Sequence, residues 1–214
     1  AHATITNIDV EDAKQMPGVV AVYTAADIDL PAQNAAHPFM NQAIKWPFIA
    51  KDTVRFVGDI VAMIVSTDKI SGVDASEAVI VDYEPLPVVL DMQESFEGKV
   101  LLHPEAGTNV VLTFGAAPDN ENMFDNCDVV VELVIENQRV APAPMEPRSC
   151  AVLWDGDRLT QWACSQGAHG ARDGIADTFG LAKEKVRVIT PDVGGGFGAK
   201  NGVYPDELLV TWAA

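Results

Sequence analysis

A glycine-rich stretch, ITPDVGGGFGAKNGVY at residues 189–204, constrains the fold of this chain more than any other segment. Four of its first ten residues are glycine, and a phenylalanine lies among them. Glycine loses more conformational freedom on folding than any other residue, so such a cluster indicates that something approaches the backbone closely. The residues just before it, VRVIT at 186–190, are typical of a strand. The pattern predicts a strand followed by a tight loop with a bare backbone.

A second strand-to-helix corner precedes this loop. The strand RLTQWA (158–163) is followed by CSQG and then by HGARDGIADTFG, whose apolar residues recur four apart as in an amphipathic helix. Ser165 is expected to cap the start of that helix, and Gly180 its end. If the corners at 163–167 and 193–199 lie side by side, their N–H groups and the Gln166 amide form a polar cradle for a large polar cofactor. Phe197 would then pack against the reacting centre.

Periodicity along the rest of the chain predicts an α+β protein. Strands are expected at 3–9, 19–24, 60–65, 129–140 and 186–190, with helices at 10–16 and from Ser71 onwards. Residues 150–154 and 158–163 are expected to form a β-hairpin around Asp155-Gly156-Asp157. The apolar run 60–65 is expected to be covered on both faces. Residues 25–50 read as a long irregular loop. The chain divides into a first domain at 1–92, a linker at 93–124 and a second domain at 125–214.

Composition excludes several classes of partner. Acidic residues number 31 against 14 basic ones, for a formal charge of −17, which argues against nucleic acid and anionic membranes. No apolar run approaches the roughly 20 residues of a membrane helix. The three cysteines form no CxxC pair and indicate reduced thiols in a cytoplasmic protein. The four scattered histidines do not predict a zinc site.

Two other kinds of site remain open on the residues alone. Gly194, Gly196 and Ala199 fit the dinucleotide-binding pattern G-x-G-x-x-[GA], but no second strand with its ribose-binding acid follows within this chain. Ser165 lies in a near miss to the hydrolase motif G-x-S-x-G, and it could share a helix face with His169 and Asp173. A single helix face offers no separate oxyanion pocket.

Six segments together resemble the molybdenum hydroxylases, the family of xanthine dehydrogenase and of the large subunit of aerobic carbon monoxide dehydrogenase. DVGGGFGAK is similar to the family segment GGGFGxK. The other similar segments, in chain order, are PGVVAVYTAADI, DTVRFVGDIVAMIV, EAVIVDYEPLPVV, and MEPRS with WACSQGAHGARDGIADTFGL. The resemblance covers almost the whole chain and implies an α/β hammerhead domain followed by the beginning of a molybdopterin-binding α+β domain.

The resemblance also implies a cofactor and partners. These are molybdenum on a molybdopterin, often in the cytosine dinucleotide form in bacteria, with iron–sulfur and FAD groups on partner subunits. By position, Gln166 would lie near the molybdenum, and Gly195, Gly196, Phe197 and Gly198 would form the loop beside the cofactor. No side chain of this chain is expected to bind the metal directly.

The implied reaction is hydroxylation of a small substrate by water. Asn201 stands where xanthine-type relatives carry glutamate, which favours an aldehyde or carbon monoxide dehydrogenase-like branch. The family's general base is expected beyond Ala214, so the isolated chain is expected to be inactive and, with uncovered apolar surface, to self-associate. By resemblance Glu146 lies where the family approaches the active-site region, without an assigned role, and it could instead form an ion pair with Arg148 or Arg172. The alternative is a non-catalytic binding or assembly module with the same fold.

Overall fold

The first half of the chain is built on two small antiparallel sheets. A computed structural model describes residues 2–35, 38–114 and 123–214. Its first elements are β1 (Ala3–Asp9), α1 (Glu11–Gln15), β2 (Val19–Tyr23), β3 (Thr53–Val54), β4 (Met63–Ser66), α2 (Lys69–Glu77) and β5 (Ile80–Pro85). One sheet has the order β3-β1-β5, and the other pairs β2 with β4. The two helices pack over the second sheet around the buried residues Ala13, Val22 and Ala75.

Two predictions for this half need correction. The apolar run 60–65 forms a strand only from Met63, and all four residues of that strand are half-buried rather than covered on both faces. Helix α2 begins before Ser71, because the Asp68 carboxylate accepts the N–H groups of Ile70 and Ser71 and caps the helix there. The predicted linker includes α3 (Met92–Glu97), and within it the His103 side chain is buried.

The second half is organised by a mixed three-stranded sheet. It contains β6 (Cys150–Trp154), β7 (Leu159–Ala163), α4 (Ala168–Phe179), β8 (Val186–Ile189) and α5 (Pro205–Ala213). Strands β6 and β7 form the predicted antiparallel hairpin, and β8 pairs with β7 in parallel. Parallel neighbours need a crossover connection, which α4 supplies. The carboxyl ends of β7 and β8 therefore lie at one edge of the sheet.

The predicted strand at 129–140 is wrong. These residues have no regular secondary structure, and the structure supplies no partner strand for them among the residues it describes. Their apolar side chains are exposed, from 57% at Val130 to 91% at Val134. A strand depends on ladder hydrogen bonds with a neighbour, so β propensity alone does not form one.

The main core joins the two halves. Phe48 and Ile49, from the irregular segment between β2 and β3, are buried against Leu159, Ile175 and Leu208 of the second half. The segment is also tied at its middle by an isolated bridge between Gln33 and Trp46. Further along, the Trp212 indole N–H donates to Asp29. A loop that the sequence describes only as irregular thus carries part of the shared core.

Candidate functional site

The two predicted corners lie side by side, because they follow the carboxyl ends of the adjacent parallel strands β7 and β8. Their contact is direct, since the backbone N–H of Gln166 donates to the Lys200 carbonyl at 2.9 Å. The Gln166 side chain also contacts the loop, because its Oε1 accepts the N–H of Gly198 at 2.9 Å and that of Lys200 at 3.2 Å. Three hydrogen bonds therefore join the first corner to the glycine-rich loop.

These contacts fix which end of the Gln166 amide faces outward. An amide offers one acceptor and one two-proton donor. Because Oε1 accepts two backbone N–H groups, Nε2 must be the free end. The side chain is exposed, and Nε2 has no acceptor among the described residues. The first corner therefore presents a hydrogen-bond donor to whatever lies above it.

The glycine-rich loop presents a row of backbone donors. The N–H groups of Gly195, Gly196 and Phe197 have no acceptor within the described parts of the chain. Gly195 (φ 91°) and Phe197 (φ 51°) both have left-handed backbone torsions. Successive N–H groups in alternating conformations of this kind form a concave anion-binding arrangement. The loop is thus suited to an oxygen-rich, anionic ligand.

The four glycines of this loop serve different purposes. A Cβ at Gly194 would lie 2.6 Å from the Glu146 Cβ, and one at Gly196 would lie 2.5 Å from the Gln166 Oε1. At Gly195 and Gly198 the φ angles of 91° and 88° favour glycine, and a Cβ at Gly195 would also lie 2.8 Å from Cε2 of Phe197. The close neighbours of an added Cβ at Gly194, Gly195 and Gly196 are therefore all side chains of this chain itself.

Glu146 is joined to neither predicted arginine but to Lys200. Its Oε2 accepts from the Lys200 Nζ at 2.6 Å and from the N–H of Gly194 at 2.9 Å. The lysine hydrogen bond, followed by that of Gly194, holds the pKa of Glu146 below its usual value. Arg148 instead binds Asp206 at 3.3 Å and lies 4.0 Å above the Tyr204 ring. Arg172 pairs with Asp173.

Lys200 is the residue whose role the sequence interpretation missed. Its side chain is fully buried although it carries a charge. The two signals available were an acid in MEPR and a base in GGGFGAK, but nothing in their spacing indicates that segments 54 residues apart would meet. Only the fold brings them together.

The hydrolase interpretation is not supported. Ser165 is buried, and its hydroxyl accepts the N–H of Gly167 at 3.1 Å. It does not cap α4 as predicted, because the helix begins two residues later than expected, with Gly167 at its N-cap. Asp173 binds Arg172 and Lys183, and no hydrogen bond within the described chain joins it to His169 or Ser165.

Two clefts flank the glycine-rich loop. One, of about 400 Å³, is lined by Pro144, Pro147 and Ala199 together with Arg148 and Asp206. The same arginine and aspartate line a second cleft of about 680 Å³ between the halves, whose other walls include aromatic residues: Trp46, Phe48, Phe56 and Tyr204. Among the residues described, no group of three or more His, Cys, Asp or Glu could hold a metal ion, and no helix is long and apolar enough to span a membrane.

The fold and the donor-lined corner define a class of protein that holds a polar, anionic group against a mixed sheet. Residues 102–214 match the molybdopterin cofactor-binding domain, and residues 1–87 match the aldehyde oxidase and xanthine dehydrogenase a/b hammerhead domain. The chain therefore belongs to the molybdenum hydroxylase family of aldehyde oxidase and xanthine dehydrogenase, and its fold is the predicted hammerhead domain followed by the start of a molybdopterin-binding domain.

Individual relatives agree with this assignment. The whole chain aligns with the nicotine 6-hydroxylase large subunit of Paenarthrobacter nicotinovorans at 37% identity, and the alignment covers 27% of that protein. It aligns with the carbon monoxide dehydrogenase large chain of Afipia carboxidovorans at 34% identity, over 28% of that protein. The solved structure of reconstituted CO dehydrogenase from Oligotropha carboxidovorans superimposes with a TM-score of 0.87 at 31% identity, over 99% of this chain and 28% of that one. The chain thus spans little more than a quarter of these relatives.

Proposed function

We propose that this chain forms part of the cofactor-binding side of the large subunit of a molybdenum-dependent hydroxylase. The observation that carries the proposal is that the N–H groups of Gly195, Gly196 and Phe197 have no acceptor among the described residues and belong to the loop that is hydrogen-bonded to Gln166, whose Nε2 is free. Donors fixed before a ligand arrives stabilise negative charge without the cost of reorganising them. The residues present therefore fit molybdopterin and the oxo groups of its metal.

Each residue would contribute in a different way. Gln166 would donate from Nε2 to an oxygen on the metal, while Gly195, Gly196 and Phe197 would donate from the backbone to the polar edge of the cofactor. Gly198 would act indirectly, because its own N–H already holds the Gln166 Oε1. When bound, the molybdenum cofactor supplies the two-electron redox chemistry of hydroxylation by water. The proton acceptor of the reaction would come from outside this chain.

We also propose partners and a substrate class on the basis of family membership. Iron–sulfur and FAD subunits would accept the electrons, and the pterin would carry the cytosine dinucleotide. Asn201 in place of glutamate favours a small aldehyde-like or carbon monoxide-like substrate over a purine. The three cysteines are free thiols, which supports a cytoplasmic location. A membrane or nucleic acid partner does not fit the charge of −17.

The test measures molybdenum and pterin in the enzyme that contains this chain, purified from a host that makes the cofactor. About one molybdenum per chain is expected, and none from a host that lacks the cofactor pathway. The Gln166→Ala variant should lose hydroxylase activity, whereas Gln93→Ala, on the distant helix α3, should not. The 214-residue chain alone is expected to show no turnover. Absence of molybdenum from the intact enzyme would favour the non-catalytic module instead.

A further inference from the structure

An ion pair between a buried lysine and a partly exposed glutamate lies at the end of the glycine-rich loop. The Lys200 side chain is fully buried, and its ammonium lies 2.6 Å from Oε2 of Glu146. Removing an ammonium group from water is costly unless a charged, hydrogen-bonded partner compensates. Glu146 is its one carboxylate partner among the described residues, while 37% of the glutamate side chain itself stays exposed. The buried ammonium of Lys200 therefore depends on Glu146 for its compensating charge.

Glu146 also holds the other end of the loop. The same Oε2 accepts the N–H of Gly194 at 2.9 Å, and the Gly194 carbonyl accepts the backbone N–H of Glu146 at 3.4 Å. A Cβ at Gly194 would lie 2.6 Å from the Glu146 Cβ, so the two residues are packed as closely as a glycine allows. One carboxylate oxygen therefore bridges positions 194 and 200, which lie on either side of the donor row at 195–197.

Lys200 also connects Glu146 to the first corner through its own backbone. Its carbonyl accepts the N–H of Gln166 at 2.9 Å, and its N–H donates to the Gln166 Oε1 at 3.2 Å. The continuous chain of contacts runs from Glu146 through Lys200 to the amide whose Nε2 is free. The buried ammonium cannot itself reach a ligand above the loop, since its side chain has no exposed surface.

We propose that Glu146 and Lys200 are positioning residues, which hold the glycine-rich loop and the Gln166 amide in the arrangement that receives the cofactor. This inference rests on the function proposed above. Glu146 stays ionised at neutral pH because its hydrogen bonds from Lys200 and Gly194 lower its pKa. The Lys200 side chain, which has no exposed surface, is out of reach of the reacting atoms, and the proposed role of Glu146 acts through Lys200 and Gly194. Their removal should weaken catalysis through Gln166 and the loop.

The first readout needs no cofactor. Hydrogen–deuterium exchange of the peptide covering residues 193–201 is measured in the cofactor-free enzyme, for the wild type and for Lys200→Met and Glu146→Gln. Methionine keeps the apolar length of lysine without its charge. Both variants should exchange at least tenfold faster in this peptide. Lys183→Met is the matched control, because it removes an exposed pair with Asp173 in the same half, and it should leave the peptide unchanged.

The second readout is turnover of the loaded enzyme, expressed per bound molybdenum. Both variants should lose at least tenfold in kcat with less than a threefold change in KM, and the electron paramagnetic resonance signal of Mo(V) should change. The control should stay within twofold of the wild type. Glu146→Gln leaves a buried ammonium without a counter-charge, so it should be the least stable of these variants. The double variant Glu146→Gln/Lys200→Met removes that ammonium and should be more stable than Glu146→Gln alone.

The outcomes separate this inference from the proposed function. The positioning role alone is overturned if Lys200→Met and the double variant both keep the molybdenum content, the hydrogen exchange and the kcat of the wild type. Activity that falls only in proportion to molybdenum content, with an unaltered Mo(V) signal, overturns it as well. A wild-type enzyme without molybdenum overturns the proposed function, and the positioning role with it.

Discussion

Substituting alanine for Gly196 should displace the Gln166 side chain. The φ angle of Gly196 lies outside the left-handed range, so alanine meets no torsional barrier there, but its Cβ would lie 2.5 Å from Oε1 and 2.6 Å from Cγ of Gln166. The glutamine can escape only by rotating away from the N–H groups of Gly198 and Lys200. At about 0.5–1.5 kcal/mol for each hydrogen bond, the loss is roughly 1–3 kcal/mol.

Thermal unfolding measures this cost. For a chain of this size about 1 kcal/mol corresponds to roughly 2–4 °C, so Gly196→Ala should lower Tm by roughly 2–12 °C. In a Gln166→Ala background the obstructing side chain is gone, and Gly196→Ala should be neutral or slightly stabilising. Gly170→Ala is the control, since nothing lies within 4 Å of its added Cβ in α4, and it should stabilise by up to about 1 kcal/mol. Equal losses from Gly196→Ala in both backgrounds would refute the reasoning.

Three further predictions concern charge and exposure. Burial raises the pKa of Glu207, so protonation of this carboxyl favours folding, and that stability is lost as pH rises above about 4.3. Glu207→Gln can still accept the Tyr204 N–H, so its Tm should be close to that of the wild type at pH 4 and higher at pH 7. Val131→Lys should reduce self-association of the 214-residue chain in light scattering, because it interrupts the exposed apolar segment at 129–140, and an unchanged mass would contradict this. Arg148→Lys loses its stacking on Tyr204, about 0.5–1 kcal/mol, so Tm should fall by roughly 1–4 °C; an unchanged Tm would show that the stacking contributes little.

Local pattern was a reliable guide where an element's partners lie nearby in sequence. The hairpin β6–β7 surrounds a short Asp-Gly-Asp turn, and α4 ends at a left-handed Gly180, as predicted. The segment 129–140 failed because strand formation depends on a neighbour, which propensity does not encode. For the same reason the sequence describes residues 25–50 only as a loop, although Phe48 and Ile49 lie in the main core.

The sequence predicted that the two corners of the candidate site would meet, but not the hydrogen bonds and the ion pair beside them. Parallel pairing of β7 and β8 was enough to bring the two corners together, since a helix follows the first strand and the glycines follow the second. The expectation that Ser165 caps α4 was wrong because a Gly167 corner intervenes, and its hydroxyl binds that glycine's N–H instead. The pairing of Glu146 with Lys200 depends on the path of residues 141–149 across the loop, which no local pattern encodes.

The glycines of the loop show how much of the site is prepared in advance. If the cofactor alone required them, each would be open on the side where a ligand could lie. Instead, Gly194 and Gly196 face Glu146 and Gln166, and Gly195 takes a torsion angle that other residues rarely adopt. The protein's own side chains thus set the loop's shape, while the N–H groups of Gly195, Gly196 and Phe197 keep no acceptor among the described residues. Such preorganisation reduces the cost of ordering the loop when the cofactor binds, so substitutions beneath the loop should affect function as strongly as those on its surface.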